Sequence, residues 1–411
     1  MNLPKNETLI QFIPNAKKVI SDVVLTALPP LALYIHIPWC VRKCPYCDFN
    51  SHQISSASNE LDPQLEALYV AALIKDLEHT LPQVWGRRLS SIFIGGGTPS
   101  VMSAQSIDAI LSAVRARLPQ VSEMEVTMEA NPGTLDTDKL RDYHAAGVSR
   151  LSVGVQSFDD AMLASIGRIH TGKHARVALD TAYQLFDKVN FDLMFALPNQ
   201  TLAQLKSDVA IALSYQPTHV SYYHLTIEPN TFFHQHPPTV PDDELAIDMQ
   251  EWIQAELAAN GLRHYEVSAY AQPRHECQHN TNYWQFGDYI GIGAGAHGKI
   301  SNHAQIKRTA KFKHPLRYLD EMAQGSAIET EQILRKADLP FEYMLNALRL
   351  RDGTSMAQMQ TATGLSIADL EPSLSAAQTR GLMVKDAGVL RVTDLGWRFL
   401  SDVQTMFLDA D

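Results

Sequence analysis

Apolar and polar positions along the chain fall into a repeating order, a short β-prone run followed by a stretch with helical spacing. Leu31 to Ile37 is almost wholly apolar and reads as a buried strand that Pro38 ends. Asp62 and Pro63 then open a helix with Leu65, Leu68, Tyr69 and Ala72 on one face. Ser91 to Ile94 is the next strand, stopped by Gly95, Gly96 and Gly97. Ser103 can cap a helix that carries Ile107, Ile110, Leu111, Val114 and Leu118 at helical spacing. Met124, Val126, Met128 and Ala130 alternate with Glu125, Thr127 and Glu129, which predicts a strand with Glu129 near its end. Helix Thr137 to Ala146, stopped by Gly147, leads to strand Arg150 to Val155, and helix Lys173 to Lys188 leads to strand Val189 to Met194. Thr201 to Tyr215 is again helical and His219 to Thr226 again β-like.

Six strand-then-helix units at this spacing predict an α/β protein, a full or partial (β/α) barrel over residues 31–310. Reactive groups of such barrels gather at the carboxyl ends of the strands. Those ends would bring the loop after Ile37, the triple glycine, Glu129, Gln156 and Asp192 to one rim. Residues 1–30, broken by Pro14 and closed by Pro29 and Pro30, read as an arm packed on the main domain. Over residues 311–411 the pattern turns helical and charged. There PFEYMLNALRL predicts a helix with Met344, Leu345 and Leu348 inward, and LMVKDAGVLRVT is strand-like. Together they suggest a smaller, mostly helical, winged-helix-like C-terminal domain, read as a packing or lid element.

Composition narrows the class. At 411 residues the chain exceeds what one core usually organises, in keeping with a large domain plus a smaller one. Hydrophobic residues make up 45% and charged residues 19%, and no run approaches the roughly 18 apolar residues that cross a bilayer, so a soluble protein is expected. The start MNLPKNETLI lacks the pattern of an export signal, and four cysteines, three of them clustered, fit a reducing cytosol. A net charge of −11 argues against a nucleic-acid partner. Peripheral membrane contact and homodimer formation are left open.

Candidate chemistry centres on Cys40, Cys44 and Cys47, just after the first strand. Three thiolates held together suit a soft metal or an iron–sulfur cluster, and are one short of a closed four-cysteine site. On the cysteines alone, a zinc loop, a redox pair with a bystander thiol or a non-catalytic metal-binding scaffold stays open.

The Cys40-x3-Cys44-x2-Cys47 spacing, Tyr46 before the last cysteine, and Gly95-Gly96-Gly97-Thr98-Pro99 after the second strand resemble the radical S-adenosylmethionine enzymes. The resemblance implies a 4Fe-4S cluster ligated by Cys40, Cys44 and Cys47, with the fourth iron left to S-adenosylmethionine. The glycines would give the cosubstrate close backbone approach and free N–H groups. YIHIPWC, GGGTPS, EANPGT, GVQSF, GRIH, DLMFALP and HNTNYW are similar, in order and spacing, to the oxygen-independent coproporphyrinogen III oxidases and their relatives. That implies S-adenosylmethionine contacts from Tyr34, Tyr46, Gly96, Gly97, Thr98 and Glu129, with Gln156, Arg168 and Asp192 at further contact positions. Read singly, Glu129 and Asp192 could be ordinary strand-end carboxylates, and Arg168 is better read as a solvated loop charge.

The oxidases carry another cysteine two residues past the third, where this chain has Phe49. With CPYCDFNSH, EPNTFF and HNTNYWQFGDYIGIGAGAHGK, that departure makes the chain resemble the HemW-type heme chaperones. This resemblance implies heme as a bound group delivered to acceptor hemoproteins, His279 as an iron ligand and Trp284 as ring packing. On the residues alone, His279 is equally a polar loop residue with Tyr283 and Trp284 in the core, and Cys277 is either an inert buried thiol or a supplementary heme contact. GDYIGIGAGAHGK lacks the frame of a phosphate loop and predicts tight turns near the site. An oxidase-type decarboxylase is the alternative activity.

Overall fold

The computed structural model describes residues 23–54, 60–386 and 388–408. Strand β1 (Leu31–Ile37) is buried along its length apart from the half-buried Tyr34. Helix α1 (Pro63–Thr80) starts at Asp62, whose carboxylate accepts the Gln64 and Leu65 N–H groups, as an N-cap should. Its buried stripe runs through Tyr69, Leu73 and Leu77. Leu68, expected on that face, is 61% exposed, because the stripe lies one position round the helix from the predicted one.

Four more units follow: β2 (Leu89–Gly96) and α2 (Ala104–Arg117), β3 (Gln120–Ala130) and α3 (Thr137–Ala146), β4 (Arg150–Gln156) and α4 (Gly172–Leu185), β5 (Lys188–Phe195) and α5 (Leu202–Ser214). Strand β6 (His219–His224) and helix α6 (Asp243–Ala259) complete the set. The caps explain the boundaries. Ser103 accepts the Ser106 N–H at the start of α2, Asp136 accepts from Lys139 at the start of α3, and Gly147 closes α3 at a φ of 110°.

The chain continues through β7 (Arg263–Glu266), β8 (Ala269–Ala271), helix α7 (Gln278–Trp284), β9 (Asp288–Ile292), β10 (His297–Asn302), β11 (Gln305–Lys311), helix α8 (Pro315–Gln324) and β12 (Ile328–Ile333). All twelve strands form one sheet in the order β12-β11-β10-β9-β1-β2-β3-β4-β5-β6-β8-β7. From β9 to β6 neighbouring strands are parallel, and the pairs outside that run are antiparallel. The sheet is open, so the architecture is a partial barrel.

The alternation along β3 separates two buried environments, not core from solvent. Met128 and Ala130 join the main apolar core, whereas Glu125 and Thr127 on the other face are 2% and 1% exposed. Strand register extends that polar face from Glu129 to Ser152, Asn190 and His219, and Asn190 donates to the Ser152 hydroxyl. Buried polar groups are tolerated when they are hydrogen-bonded, as Ser152, Asn190 and His219 are to one another.

A second apolar core gathers Leu334, Leu339, Tyr343, Met344, Leu365, Leu374 and Leu390 from the C-terminal part. Helix α9 (Leu339–Ala347) buries Tyr343, Met344 and Ala347, with Leu348 also in that core, while Leu345, expected inward, is 40% exposed. Thr354–Ser355 pairs with Val389–Leu390 as a short wing-like ribbon. Of the N-terminal arm only residues 23–30 are described, and 1–22 lie outside the described residues. Val23 and Leu25 pack into this second core, and Leu25 exchanges hydrogen bonds with His303, its N–H to the carbonyl and its carbonyl with Nδ1. The arm also meets residues 31–310, since the Pro29 carbonyl accepts from Arg87 and the Pro30 carbonyl accepts the Asp288 N–H.

Candidate functional site

The three cysteines sit at the carboxyl end of β1. Cys40 lies on a two-residue strand paired with His52–Gln53, and Cys44 and Cys47 are in the turn between, with the Cys47 N–H donating to the Cys44 carbonyl at 3.1 Å. Cys40 is buried, and Cys44 and Cys47 are half-buried. Burial pushes the Cys40 thiol up to about 11, with Cys47 and Cys44 adding to the rise, and burial likewise raises Cys47. Among the described residues no three His, Cys, Asp or Glu side chains converge as the ligands of one ion do. A cluster asks something different, since each thiolate meets its own iron, and three mutually sensed thiols on one short loop fit that demand.

Arg168 is not a solvated loop charge. Its guanidinium donates to the Gly154 carbonyl at 2.8 Å and reaches Cys44 Sγ at 3.6 Å, so it ties the cysteine loop to the end of β4. Tyr46 packs beside it against Met162, Ile166, Met194 and Phe233, and burial raises its phenol. Gln156 ends β4 with a φ of 67°, and its amide lies near the Arg168 side of Gly154. Cys44, Thr98 and Arg168 line a small cleft behind the loop.

The glycine turn closes β2 onto β1. A Cβ on Gly97 would stand 2.5 Å from the Trp39 carbonyl oxygen, and one on Gly96, at a φ of 119°, would strike the His36 ring at 2.7 Å. The free N–H groups expected here are in fact taken. Gly97 donates to Ile37, Thr98 to Trp39, and Gly96 to Glu129 Oε2 at 3.1 Å. Backbone approach at this turn is thus through carbonyls and the bare Cα faces.

Glu129 faces the turn from the end of β3. Burial and the nearby Asp192 raise it to about 8 against the Gly96 N–H, so the carboxyl is protonated near neutral pH. Asp192 accepts from Ser152 and Asn190, and burial raises it too. Across from Glu129, His36 Nε2 lies 2.8 Å from the Asn50 carbonyl and must carry the proton, since a carbonyl only accepts. Its Nδ1 then accepts from the Tyr34 hydroxyl at 2.9 Å, and burial lowers His36 to about 4.

The HNTNYW residues form helix α7, which packs against β2, β3 and β9. Glu125 accepts the Gln278 N–H and is paired with Arg150 and Lys188, which anchors the start of α7 to the sheet. His279 is 1% exposed, with Nδ1 3.1 Å from Ser91 Oγ and its ring between Phe93 at 5.1 Å and Tyr283 at 4.7 Å. Burial lowers it to about 3. Trp284 turns away, under the Arg349 guanidinium at 4.3 Å, and Cys277 is buried with its thiol raised to about 11.

A cavity of about 720 Å³ opens at the rim, within the range of roughly 300–1,000 Å³ usual for cofactor and small-molecule sites. Tyr34, Cys47, Gly96 and Glu129, all singled out in the sequence, share its wall. Tyr46, Gly97, Thr98, Gln156, Arg168, Asp192 and His279 do not line it. Other wall residues had been given no individual role in the sequence: His36, Asn50, Tyr289, His297 and Lys313, with Tyr283 read there as core. His36 carried a signal, being polar within a buried strand. Asn50, Tyr289 and His297 lay within CPYCDFNSH and GDYIGIGAGAHGK but could not be singled out there, since their value comes from a fold that joins residues 34–50 to 289–313.

The sequence profile of the Radical SAM superfamily matches residues 34–210, and that of the HemN C-terminal domain matches residues 334–399. The heme chaperone HemW of Escherichia coli strain K12 is 44% identical over 93% of this chain and 100% of its own length. HemW of Haemophilus influenzae is 42% identical over 93% and 99%, and HemW of Bacillus subtilis 34% identical over 91% and 98%. Among solved structures, the coproporphyrinogen III oxidase HemN of Escherichia coli superposes with a TM-score of 0.77 at 21% identity, covering 92% of this chain and 90% of that one. That likeness establishes the shared fold.

Proposed function

This chain belongs to the HemW heme-chaperone family within the radical SAM superfamily, and from that premise we propose that it binds heme and delivers it to acceptor hemoproteins. The observation that carries the reading is the shared cavity. Cys47 of the cysteine loop, Gly96 and Glu129 of the barrel rim, and Tyr283 of the HNTNYW helix all face one space. Cys40, Cys44 and Cys47 would hold a 4Fe-4S cluster. The residues that would hold S-adenosylmethionine are Tyr34, Gly96 and Glu129 on the cavity wall, with Tyr46, Gly97, Thr98, Gln156, Arg168 and Asp192 beyond it. When bound, the cluster supplies an open iron for that chelate and a one-electron donor.

The chain's own residues do the rest. Arg168 holds the loop at Cys44, and the Tyr34–His36–Asn50 chain fixes its far side. Neutral Glu129 can donate or accept a hydrogen bond at the wall. Phe49, where the oxidases place a further thiol, is 60% exposed at the cavity wall, which favours cargo binding over decarboxylation as the reading. Among the described residues no helix is long and apolar enough to cross a membrane, and we place the activity in the cytoplasm.

The test is a heme titration of the anaerobically reconstituted protein, beside an incubation with coproporphyrinogen III, reductant and S-adenosylmethionine. Saturable heme binding without protoporphyrinogen formation is expected. Conversion of the porphyrinogen would move the assignment to the decarboxylase.

A further inference from the structure

The HNTNYW helix carries the histidine that the sequence points to, yet another histidine stands in the cavity. We propose that His297, at the start of β10, is the imidazole that ligates heme iron in this protein, and that His279 is a structural residue behind the wall. The assignment rests on the heme-binding reading above.

His279 is enclosed. It is 1% exposed, Ser91 occupies the neighbourhood of Nδ1, and Tyr34, Phe93 and Tyr283 surround its ring at 4.7–6.4 Å. Its Nε2 has no hydrogen-bond partner, but a macrocycle could meet that atom only by displacing these rings. Tyr283, not His279, is the residue of α7 on the cavity wall.

His297 has the opposite setting. It is exposed, it lines the cavity, and its ring makes no hydrogen bond to any described residue, so neither nitrogen is committed elsewhere. Its backbone is nonetheless fixed. It pairs with Ala310 in the β10–β11 ladder, and the turn before it is held twice at Ala294, whose N–H donates to the Tyr69 hydroxyl and whose carbonyl accepts from Asn50. Iron ligation needs one ring nitrogen free of other partners on a backbone held in place, and His297 offers both.

The surroundings match the ligand class. A heme is a broad aromatic plate with carboxylates on one edge. Tyr283 and Tyr289, edge to face at 4.5 Å, give the wall aromatic surface beside His297, and Lys313 supplies a cation for a carboxylate. The same cavity reaches Gly96 and Glu129, so cargo and cosubstrate would be neighbours.

The experiment uses the full chain with its cluster reconstituted, titrated with hemin and followed by absorbance and electron paramagnetic resonance. Wild type, His297→Ala and His279→Ala are compared, with melting temperatures recorded for each. His297→Ala should lose the imidazole-ligated heme spectrum and bind heme at least about 10-fold more weakly, because even the hydrogen-bond partners of metal ligands are worth that much. Added imidazole should restore the spectrum. His279→Ala should keep the spectrum and lower the melting temperature. A wild-type heme spectrum in His297→Ala, with that spectrum lost in His279→Ala, overturns the assignment and leaves heme binding standing. A wild-type protein that binds no heme removes the underlying reading and the assignment with it.

Discussion

Glu129 shows how single residues are tuned at this site. Its carboxyl is raised from 4.5 to about 8, chiefly by burial, so the folded protein holds a proton there that the unfolded chain gives up above pH 4.5. The sign follows from proton counting. Between pH 4.5 and about 8 the native state binds more protons at this position, so its contribution to stability falls as pH rises. Glu129→Gln cannot ionise, and its amide oxygen can still accept the Gly96 N–H. The melting temperature of the variant minus that of wild type should therefore climb between pH 5 and pH 8, as checked by paired thermal melts in the absence of S-adenosylmethionine. A difference that stays flat with pH would mean that Glu129 ionises normally in the folded protein. Residues of this kind are half legible in a sequence. The position of Glu129 at a strand end could be read, whereas its protonation depends on Asp192 and on burial that only the fold creates.

Among the elements, α1 links the site to the rest of the sheet. Tyr69 is fully buried, donates to the His36 carbonyl at 2.8 Å and accepts the Ala294 N–H at 2.8 Å, so one hydroxyl joins the end of β1 to the turn that leads into β10. Removing it strands a buried carbonyl and a buried N–H. Tyr69→Phe should cost about 1–3 kcal/mol of stability, the usual penalty for buried groups left unpaired. Denaturant melts measure this, and a loss well under that range would show that water replaces the hydroxyl. The βα units could be read because apolar runs, caps and glycine stops agree at each boundary. Strands β10 and β11 could not. Their Lys299 and Lys311 suggest solvated positions, yet both are buried, paired with Asp288 and with Asp76 from α1. No local pattern announces the burial of Lys311, whose partner lies 235 residues away.

At the scale of the whole molecule, two cores share one chain and meet behind the cavity. Tyr289 receives the Arg308 guanidinium, and Arg308 in turn is paired with Glu342 of α9 in the C-terminal part. Trp284 of α7 lies under Arg349, also from that part. The C-terminal elements thus buttress the wall that carries Tyr283 and Tyr289. The proposed transfer of heme to an acceptor is a property of the whole protein. The direct measurement mixes heme-loaded, anaerobically reconstituted protein with a colourless apo-hemoprotein such as apomyoglobin and follows the acceptor's heme absorbance over time. If the protein hands heme on directly, the acceptor spectrum grows as the donor spectrum is lost, at a rate that rises with acceptor concentration. Heme that stays on the protein, or that leaves at one fixed rate whatever the acceptor concentration, would contradict it.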